Sequence, residues 1–384
     1  MAGLFVFGGG VIMSEIIYRN LDIKSAGEKE LESALNEIIK GIKKTDLNSA
    51  EEMQERLDAK IKPIRSLGVL EEIAVQMAGI QRTSSPKING KAVLLMAGDH
   101  GVVKEGVSAA PQEITVQLFY SYLNGAGGIN ILANHAGAKL ICNNIGLVSH
   151  IAPEHMVNHI KSGADNIAEG PAMTRKEMLQ SILAGAKIAS DAIESGINLL
   201  ASGEVGIGNT TPSAAIISVI TGCKVEEAAG SGTGLKSGAL KHKQDIIKKA
   251  IKINSPDPND PMDVLAKVGG LEIAAMAGAI LEAAYQNVPT ILDGIISCSA
   301  ALIAAKFNPL TVEYMIPSHS SEERGALTAL KYMGLEPRLF LNMRLGEGTG
   351  AALMFHIIEA ALKVADEMGT FETSGVSTGD FLEI

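Results

Sequence analysis

The chain has 384 residues, of which 46% are hydrophobic and 20% charged, enough for the deep core of one large domain or two modest ones. Its 33 basic and 43 acidic side chains leave a net charge of -10, and only 4% of residues are aromatic, with no Trp. A negative surface with few stacking rings is a poor match for a phosphate backbone or for bases. We therefore expect no nucleic-acid partner.

Cysteine use and the N-terminal residues indicate a cytoplasmic location. The three cysteines are scattered and form no C-x-x-C pair, so neither a disulfide framework nor a zinc site is expected. The apolar start is short, is interrupted by three glycines and has no basic residue ahead of it, which argues against a signal peptide. We interpret residues 1–13 as an N-terminal extension, with a buried strand as the alternative. Later apolar runs are too short or interrupted for a membrane span.

The first long segment, residues 14–85, is predicted to be helical. Apolar residues recur at helical spacing, as in Leu31, Leu35 and Ile38, and then in Leu57, Ile61 and Ile64. A turn-rich break follows at residues 83–86. At the other end of the chain, residues 351–368 predict a closing helix and residues from 370 onward a polar tail. Together, residues 14–85 and 351–384 form an expected small helical domain.

Residues 86–350 predict a large α/β domain. Short, almost continuous apolar runs end in glycine-rich loops and are each followed by a helical stretch; the runs are 92–96, 139–142, 198–201, 290–292 and 312–316. Such runs are typical of parallel strands covered on both faces, so we expect a mostly parallel, Rossmann-like sheet flanked by helices. In such sheets ligands bind beyond the carboxyl ends of the strands.

Two of the predicted loops have the composition of an anion site. Residues 206–211 place two glycines, an amide and two hydroxyls just before a helix, where backbone N–H groups bind phosphate. A Thr-capped helix explains the same string equally well. Residues 230–234, followed by Lys236, Lys241 and Lys243, would add a cation, unless these lysines form a solvated helix face.

Two glutamates are candidates for acid–base chemistry. Glu347 lies between two glycines ahead of an apolar helix, where burial would raise the pKa of a general base, and Glu204 has a similar setting. A capping role is the alternative for both. The chain has no Walker A motif, and His155 and His159 lack the Glu of a zinc-protease helix. We therefore expect no metal and no cofactor.

Taken together, the loops resemble the nicotinate-nucleotide:dimethylbenzimidazole phosphoribosyltransferase family. The resemblance covers about residues 90–371, and the strings at 203–211 and 344–352 are highly specific. The other matching strings are 97–102, 105–109, 166–168, 170–174, 232–234, 269–270, 292–294, and Ser318 and His319 with Ser321 and Glu323.

The resemblance implies transfer of the phosphoribosyl group of nicotinate mononucleotide to an aromatic base such as 5,6-dimethylbenzimidazole. By the same resemblance Glu347 is the general base, and Glu204 lies near the reacting ribose. It also implies a homodimer and chemistry that needs no metal. The resemblance and the loops together give these substrate-binding candidates: Gly206, Ile207, Gly208, Asn209, Thr210, Lys243, Ser108, Gln112, Ser321 and Leu345.

Four positions depart from the family pattern: Ala110, Asn144, Asp165 and Ser231. Ala110 replaces a common aromatic residue, which reshapes the expected base pocket. A different acceptor, a purine or a phenol, therefore stays open. So does the alternative of a weakly active or regulatory subunit paired with a paralogue.

Overall fold

The computed structural model describes residues 17–149, 151–230, 232 and 237–377. The extension predicted for residues 1–13 and the last residues of the predicted tail lie outside the described part. Two loop candidates, Ser231 and Lys236, also lie outside it.

A parallel five-stranded sheet forms the centre of the molecule, in the order β2-β1-β3-β4-β5. Its strands are β1 (Lys91–Gly98), β2 (Lys139–Gly146), β3 (Leu199–Val205), β4 (Thr290–Leu292) and β5 (Met315–Pro317). Every residue of β3 is buried, and every residue of β1 except Lys91, because helices cover both faces. The α/β prediction is confirmed.

Fifteen α-helices surround the sheet in the described part of the chain. They are α1 (Glu28–Gly41), α2 (Leu47–Asp58), α3 (Val69–Gln81), α4 (Ile114–Leu123), α5 (Gly128–His135), α6 (Arg175–Glu194), α7 (Thr210–Thr221), α8 (Val225–Ala228), α9 (Ser237–Asn254), α10 (Pro261–Val268), α11 (Leu271–Tyr285), α12 (Ile295–Phe307), α13 (Arg324–Tyr332), α14 (Thr349–Glu367) and α15 (Phe371–Ser374).

The sheet separates two hydrophobic cores. Alternate residues of β1 point to opposite faces: Leu94 and Met96 join the core under α6, α7, α11 and α12, while Val93 and Leu95 join the core under α3, α5 and α14. The N-terminal helices divide between the faces, since α1 packs on α6 and α11 whereas α3 packs on α14. The separate small helical domain stays a prediction.

Three predicted boundaries were wrong. Residues 312–314 of the expected fifth strand belong instead to a 3-10 helix, Pro309–Tyr314, which begins where the Asn308 side chain accepts a hydrogen bond from the Leu310 N–H. Ile61 and Ile64 follow the end of α2, and Pro63 between them is incompatible with a continuing helix. The tail predicted from residue 370 contains α15, which Thr370 caps by accepting from the Thr373 N–H.

The closing helix predicted for 351–368 is confirmed as α14. None of the helices in the described residues combines the length and the apolar character that a membrane crossing requires.

Candidate active site

A cavity of about 570 Å³ opens at the carboxyl ends of β3, β4 and β5. Its wall combines the end of α4, the loop from β3 to α7, the loops after β4 and β5, and the loop before α14. The lining residues are Leu118, Tyr122, Glu204, Val205, Gly206, Ile207, Asn209, Thr210, Gly232, Gly294, Ile295, Ile296, His319, Ser321, Glu323, Arg344, Leu345, Gly346 and Glu347. The parallel sheet thus places the site where ligands bind in open α/β folds.

Glu347 is held at the cavity by both its backbone and its carboxylate. Its φ of 62° lies in the left-handed region, a costly conformation for a residue other than glycine. The surrounding contacts stabilise it: its N–H donates to Glu204 Oε1 at 3.2 Å, and its Oε2 accepts from the Ile129 N–H at 3.2 Å. This donor belongs to the first turn of α5, where N–H groups favour a negative charge.

Asp293, after β4, fixes the turn that carries Glu347. Its two carboxylate oxygens accept from the N–H groups of Gly348 at 3.3 Å and Ala351 at 3.0 Å. Burial raises the pKa of Asp293, while the nearby His319 lowers it. The first turn of α14 is therefore attached to the sheet, and the position of Glu347 follows from that attachment.

Glu204 is the penultimate residue of β3 and is almost completely buried. Burial raises the pKa of its carboxyl to about 7, against the opposing hydrogen bonds from the Glu347 N–H and the Asn209 side-chain amide. A carboxyl group with that pKa exchanges protons near neutral pH, which is the range that acid–base catalysis requires.

A buried ion pair lies beneath the cavity floor. His100 Nε2 lies 2.7 Å from Glu272 Oε1, and both side chains are shielded from solvent. Burial lowers the pKa of His100, but the carboxylates of Glu272, Asp99 and Glu204 outweigh it and the pKa is raised. A Cβ on Gly98 would lie 2.7 Å from Glu272 Oε2, so the strand end closes tightly over this pair.

The part of the cavity at the start of α7 has the features of a phosphate site. Lys243 Nζ donates to Thr210 Oγ1 at 2.7 Å, at the first residue of α7. Burial lowers the pKa of Lys243 to about 8, whereas the Glu323 carboxylate acts to raise it. An ammonium group beside a helix N-terminus supplies both the charge and the N–H donors that a phosphate requires.

Most of the sequence-predicted site residues lie together. Eight of them line the cavity: Glu347, Glu204, Gly206, Ile207, Asn209, Thr210, Ser321 and Leu345. Lys243 reaches it through Thr210, and Gly208 forms the left-handed turn behind it, with a φ of 91°. Ser108 and Gln112 are not among the lining residues; Ser108 Oγ accepts from the Ala110 N–H at 3.2 Å.

Sequence reasoning missed Tyr122 and Glu272 altogether and gave His319, Asp293 and Glu323 no individual role. Glu272 had a partial signal: α11 is apolar except for Glu272 in its first turn and Glu282 near its end, and a charged residue is seldom buried in such a helix without a partner. Tyr122 had none, since a tyrosine among the apolar residues of α4 does not show which way it faces.

Comparisons with known proteins give the family of the chain. A family model described as phosphoribosyltransferase matches residues 42–376. The nicotinate-nucleotide–dimethylbenzimidazole phosphoribosyltransferase of Desulforamulus reducens is 49% identical over 90% of this chain and 99% of its own, and that of Alkaliphilus metalliredigens is 44% identical over 89% and 99%. The solved structure of the Thermus thermophilus protein of that name superposes with a TM-score of 0.82 at 38% identity, covering 87% of this chain and all of that one.

Proposed function

Because this chain belongs to the phosphoribosyltransferase family that contains the nicotinate-nucleotide–dimethylbenzimidazole enzymes, we propose that it acts on the same kind of substrates. It moves the 5-phosphoribosyl group of nicotinate mononucleotide to 5,6-dimethylbenzimidazole or a related base. The products are α-ribazole 5'-phosphate and nicotinate, in cobalamin or cobamide biosynthesis. One observation carries the proposal: a single cavity is lined both by two glutamates and by the N-terminus of α7, where the buried Lys243 donates to Thr210.

The proposed step begins with Glu347. Its carboxylate takes the proton from one ring nitrogen of the acceptor base, while the other ring nitrogen forms a bond to the anomeric carbon of the ribose. The bond from that carbon to the pyridinium nitrogen breaks, and its electron pair neutralises the pyridinium, so nicotinate leaves. Ionised Glu204 would stabilise the positive charge that develops on the ribose.

The nucleotide phosphate would bind at the other end of the cavity. Residues 206–210 supply the turn and the helix N-terminus, and the Lys243 ammonium supplies the charge. The ribose would then lie between the phosphate site and the two glutamates. Holding both the phosphate and the acceptor base would bring the reacting groups close together.

The acceptor and the assembly belong to the same proposal. Ser108 and Gln112 stay candidates for the acceptor side, and Ser321 and Leu345 stay candidates for substrate binding. We also propose a homodimer and a cytoplasmic location, which rest on the family resemblance and on the three free cysteines.

The first test is an end-point assay of the purified protein with nicotinate mononucleotide. The acceptors are dimethylbenzimidazole, benzimidazole, adenine and p-cresol, and both nicotinate release and the riboside product are measured by mass. Product with any acceptor supports the transferase. If folded protein binds the nucleotide but yields no product with all four, the alternative of a regulatory subunit with a paralogous partner replaces it.

The general-base role predicts the behaviour of Glu347→Gln. Turnover should fall by about two orders of magnitude or more, because the amide cannot take the proton, while nucleotide affinity stays close to wild type. The matched control is Glu336→Gln, at an exposed glutamate outside the site strings. Nicotinate release at the wild-type rate from the Glu347 variant would remove that residue from the mechanism.

A further inference from the structure

Tyr122 brings a phenolic hydroxyl into the cavity that the proposed step does not use. It is the penultimate residue of α4 and is only 2% exposed. Its ring lies against the turn into α5, where a Cβ on Gly127 would be 2.2 Å from it. The Asn130 side-chain amide donates to the Tyr122 carbonyl at 2.9 Å, so this turn is fixed on both sides.

The hydroxyl group has no partner of standard hydrogen-bond geometry among the described residues, although its oxygen is buried. Folded proteins pair nearly all of their buried hydroxyl groups. An unpaired one in the wall of a cavity therefore points to a partner that comes into place when the cavity is filled.

Glu347 is the group that faces this hydroxyl. Both residues line the cavity, and burial first, then the charge of the Glu347 carboxylate and its hydrogen-bonding approach to the hydroxyl, raise the pKa of Tyr122. A hydroxyl with a raised pKa stays protonated, so it acts as a donor. The Ile129 N–H, from the other side of the same turn, already donates to Glu347 Oε2.

We propose that Tyr122 is a positioning residue for Glu347: when an acceptor base occupies the cavity, the tyrosine hydroxyl donates to the glutamate carboxylate. The inference rests on the proposed function. Held between this O–H and the Ile129 N–H, the carboxylate keeps a lone pair free for the N–H of the acceptor. The proton passes from the acceptor nitrogen to Glu347, and Tyr122 keeps its own.

Several titratable groups surround this pair and stay the same when only the hydroxyl is removed. They are Glu204 from β3, Asp293 after β4, His319 after β5, Arg344 on the loop of Glu347, and Cys142 from β2 on the side of Tyr122. A change in pH dependence on removing the hydroxyl alone therefore reports on its contact with the carboxylate.

The test compares Tyr122→Phe with the wild-type protein across pH, using nicotinate mononucleotide and the acceptor that gives the fastest turnover. We expect kcat to fall about tenfold with an unchanged KM for the nucleotide. The acidic limb of the kcat profile, which reports the substrate-bound enzyme, should move to higher pH by about one unit, since losing a donor raises the pKa of a carboxylate. Tyr120→Phe, on the same helix but 38% exposed, should match wild type.

A double variant gives a second readout. In a Glu347→Gln background, Tyr122→Phe should not lower the residual turnover further, because the group it positions has been replaced. An equal drop in both backgrounds assigns Tyr122 a purely structural role and overturns the proposal.

If the acidic limb of the kcat profile of Tyr122→Phe coincides with that of wild type, the inference is overturned, whether or not turnover falls. A changed ranking of acceptors with an unshifted limb overturns it too, because the hydroxyl then contacts the acceptor. An inactive wild-type protein overturns the proposed function and this inference with it, whereas an active wild type with an unshifted variant overturns this inference alone.

Discussion

Glu204 carries its carboxyl group where ionisation is costly. Burial raises its pKa to about 7 from an ordinary value of 4.5, so between these two pH values the folded chain holds a proton that the unfolded chain has lost. Stability therefore falls as pH rises through this window, and the deficit is complete above pH 7. The full effect corresponds to about 3 kcal/mol.

This linkage predicts a pH-dependent effect of Glu204→Gln on stability. The variant should gain stability relative to wild type as pH rises from about 4.5 to about 7.5, by up to about 3 kcal/mol, because glutamine does not ionise. Denaturant unfolding of both proteins at several pH values measures the difference. If the variant and wild type differed in their free energy of unfolding by the same amount at every pH in this range, the raised pKa would be contradicted. A pH-independent difference in addition to the pH-dependent one would report the altered hydrogen bond to the Glu347 N–H.

At the scale of single residues, the sequence predicts site residues that lie in distinctive sequence motifs. It does not predict residues that reach the site only because of the direction in which their side chains point. Glu347 lies between two glycines in a loop and Glu204 follows a glycine near the end of β3, and both line the cavity. Tyr122 enters the site only because of the rotation of α4 about its axis. Ser108 stands in a matching string, yet it does not line the cavity, because a string does not specify which way a side chain points.

At the scale of elements, α6 and α11 pack with their backbones in unusually close approach. A Cβ on Gly185 of α6 would lie 1.8 Å from the Ala275 carbonyl oxygen, and one on Gly278 of α11 would lie 1.8 Å from that of Ile182. The two helices can adopt this separation only with glycine at both positions. Since α11 also carries Glu272, their spacing fixes the ion pair beneath the site.

We therefore predict that Gly185→Ala and Gly278→Ala each destabilise the fold by about 1–3 kcal/mol or more, because the added methyl group forces the helices apart. Denaturant unfolding measures the loss. Gly238→Ala in α9 is the control: no atom of the described residues lies within 4 Å of the added Cβ, and alanine favours a helix, so the variant should be neutral or gain up to about 1 kcal/mol. If Gly185→Ala and Gly278→Ala both had wild-type stability, the two helices would tolerate a wider spacing.

The strands illustrate what an apolar pattern can predict. β4 has the predicted bounds, and β1, β2 and β3 contain the predicted runs almost entirely, because a strand buried on both faces leaves a continuous apolar segment. The fifth predicted strand was wrong from Val312 to Tyr314, because these residues belong to a 3-10 helix that also packs apolar side chains into the hydrophobic core. The approach of Gly185 to α11 was not predicted, since it depends on two segments distant in sequence.

At the scale of the whole molecule, stability and ligand binding oppose each other at Lys243. Burial lowers the pKa of its ammonium to about 8 from an ordinary 10.5, so below pH 8 the folded chain holds a charge at a cost of about 3 kcal/mol. The sign is opposite to that of Glu204: stability rises as pH increases from about 8 to 10.5. A bound phosphate would offset the cost by pairing with the charge.

Lys243→Met tests this balance, since methionine fills a similar volume without charge. At pH 7 and without ligand the variant should be more stable than wild type, and the difference should shrink as pH rises from 8 to 10.5.

Nicotinate mononucleotide at a hundred times its wild-type Kd should stabilise wild type by about 2.7 kcal/mol and the variant by much less. The phosphate-free riboside is the control, because it should affect both proteins equally. Equal stabilisation of both by the nucleotide would place the phosphate away from Lys243, and a ligand-free variant less stable than wild type would contradict the cost of the buried charge.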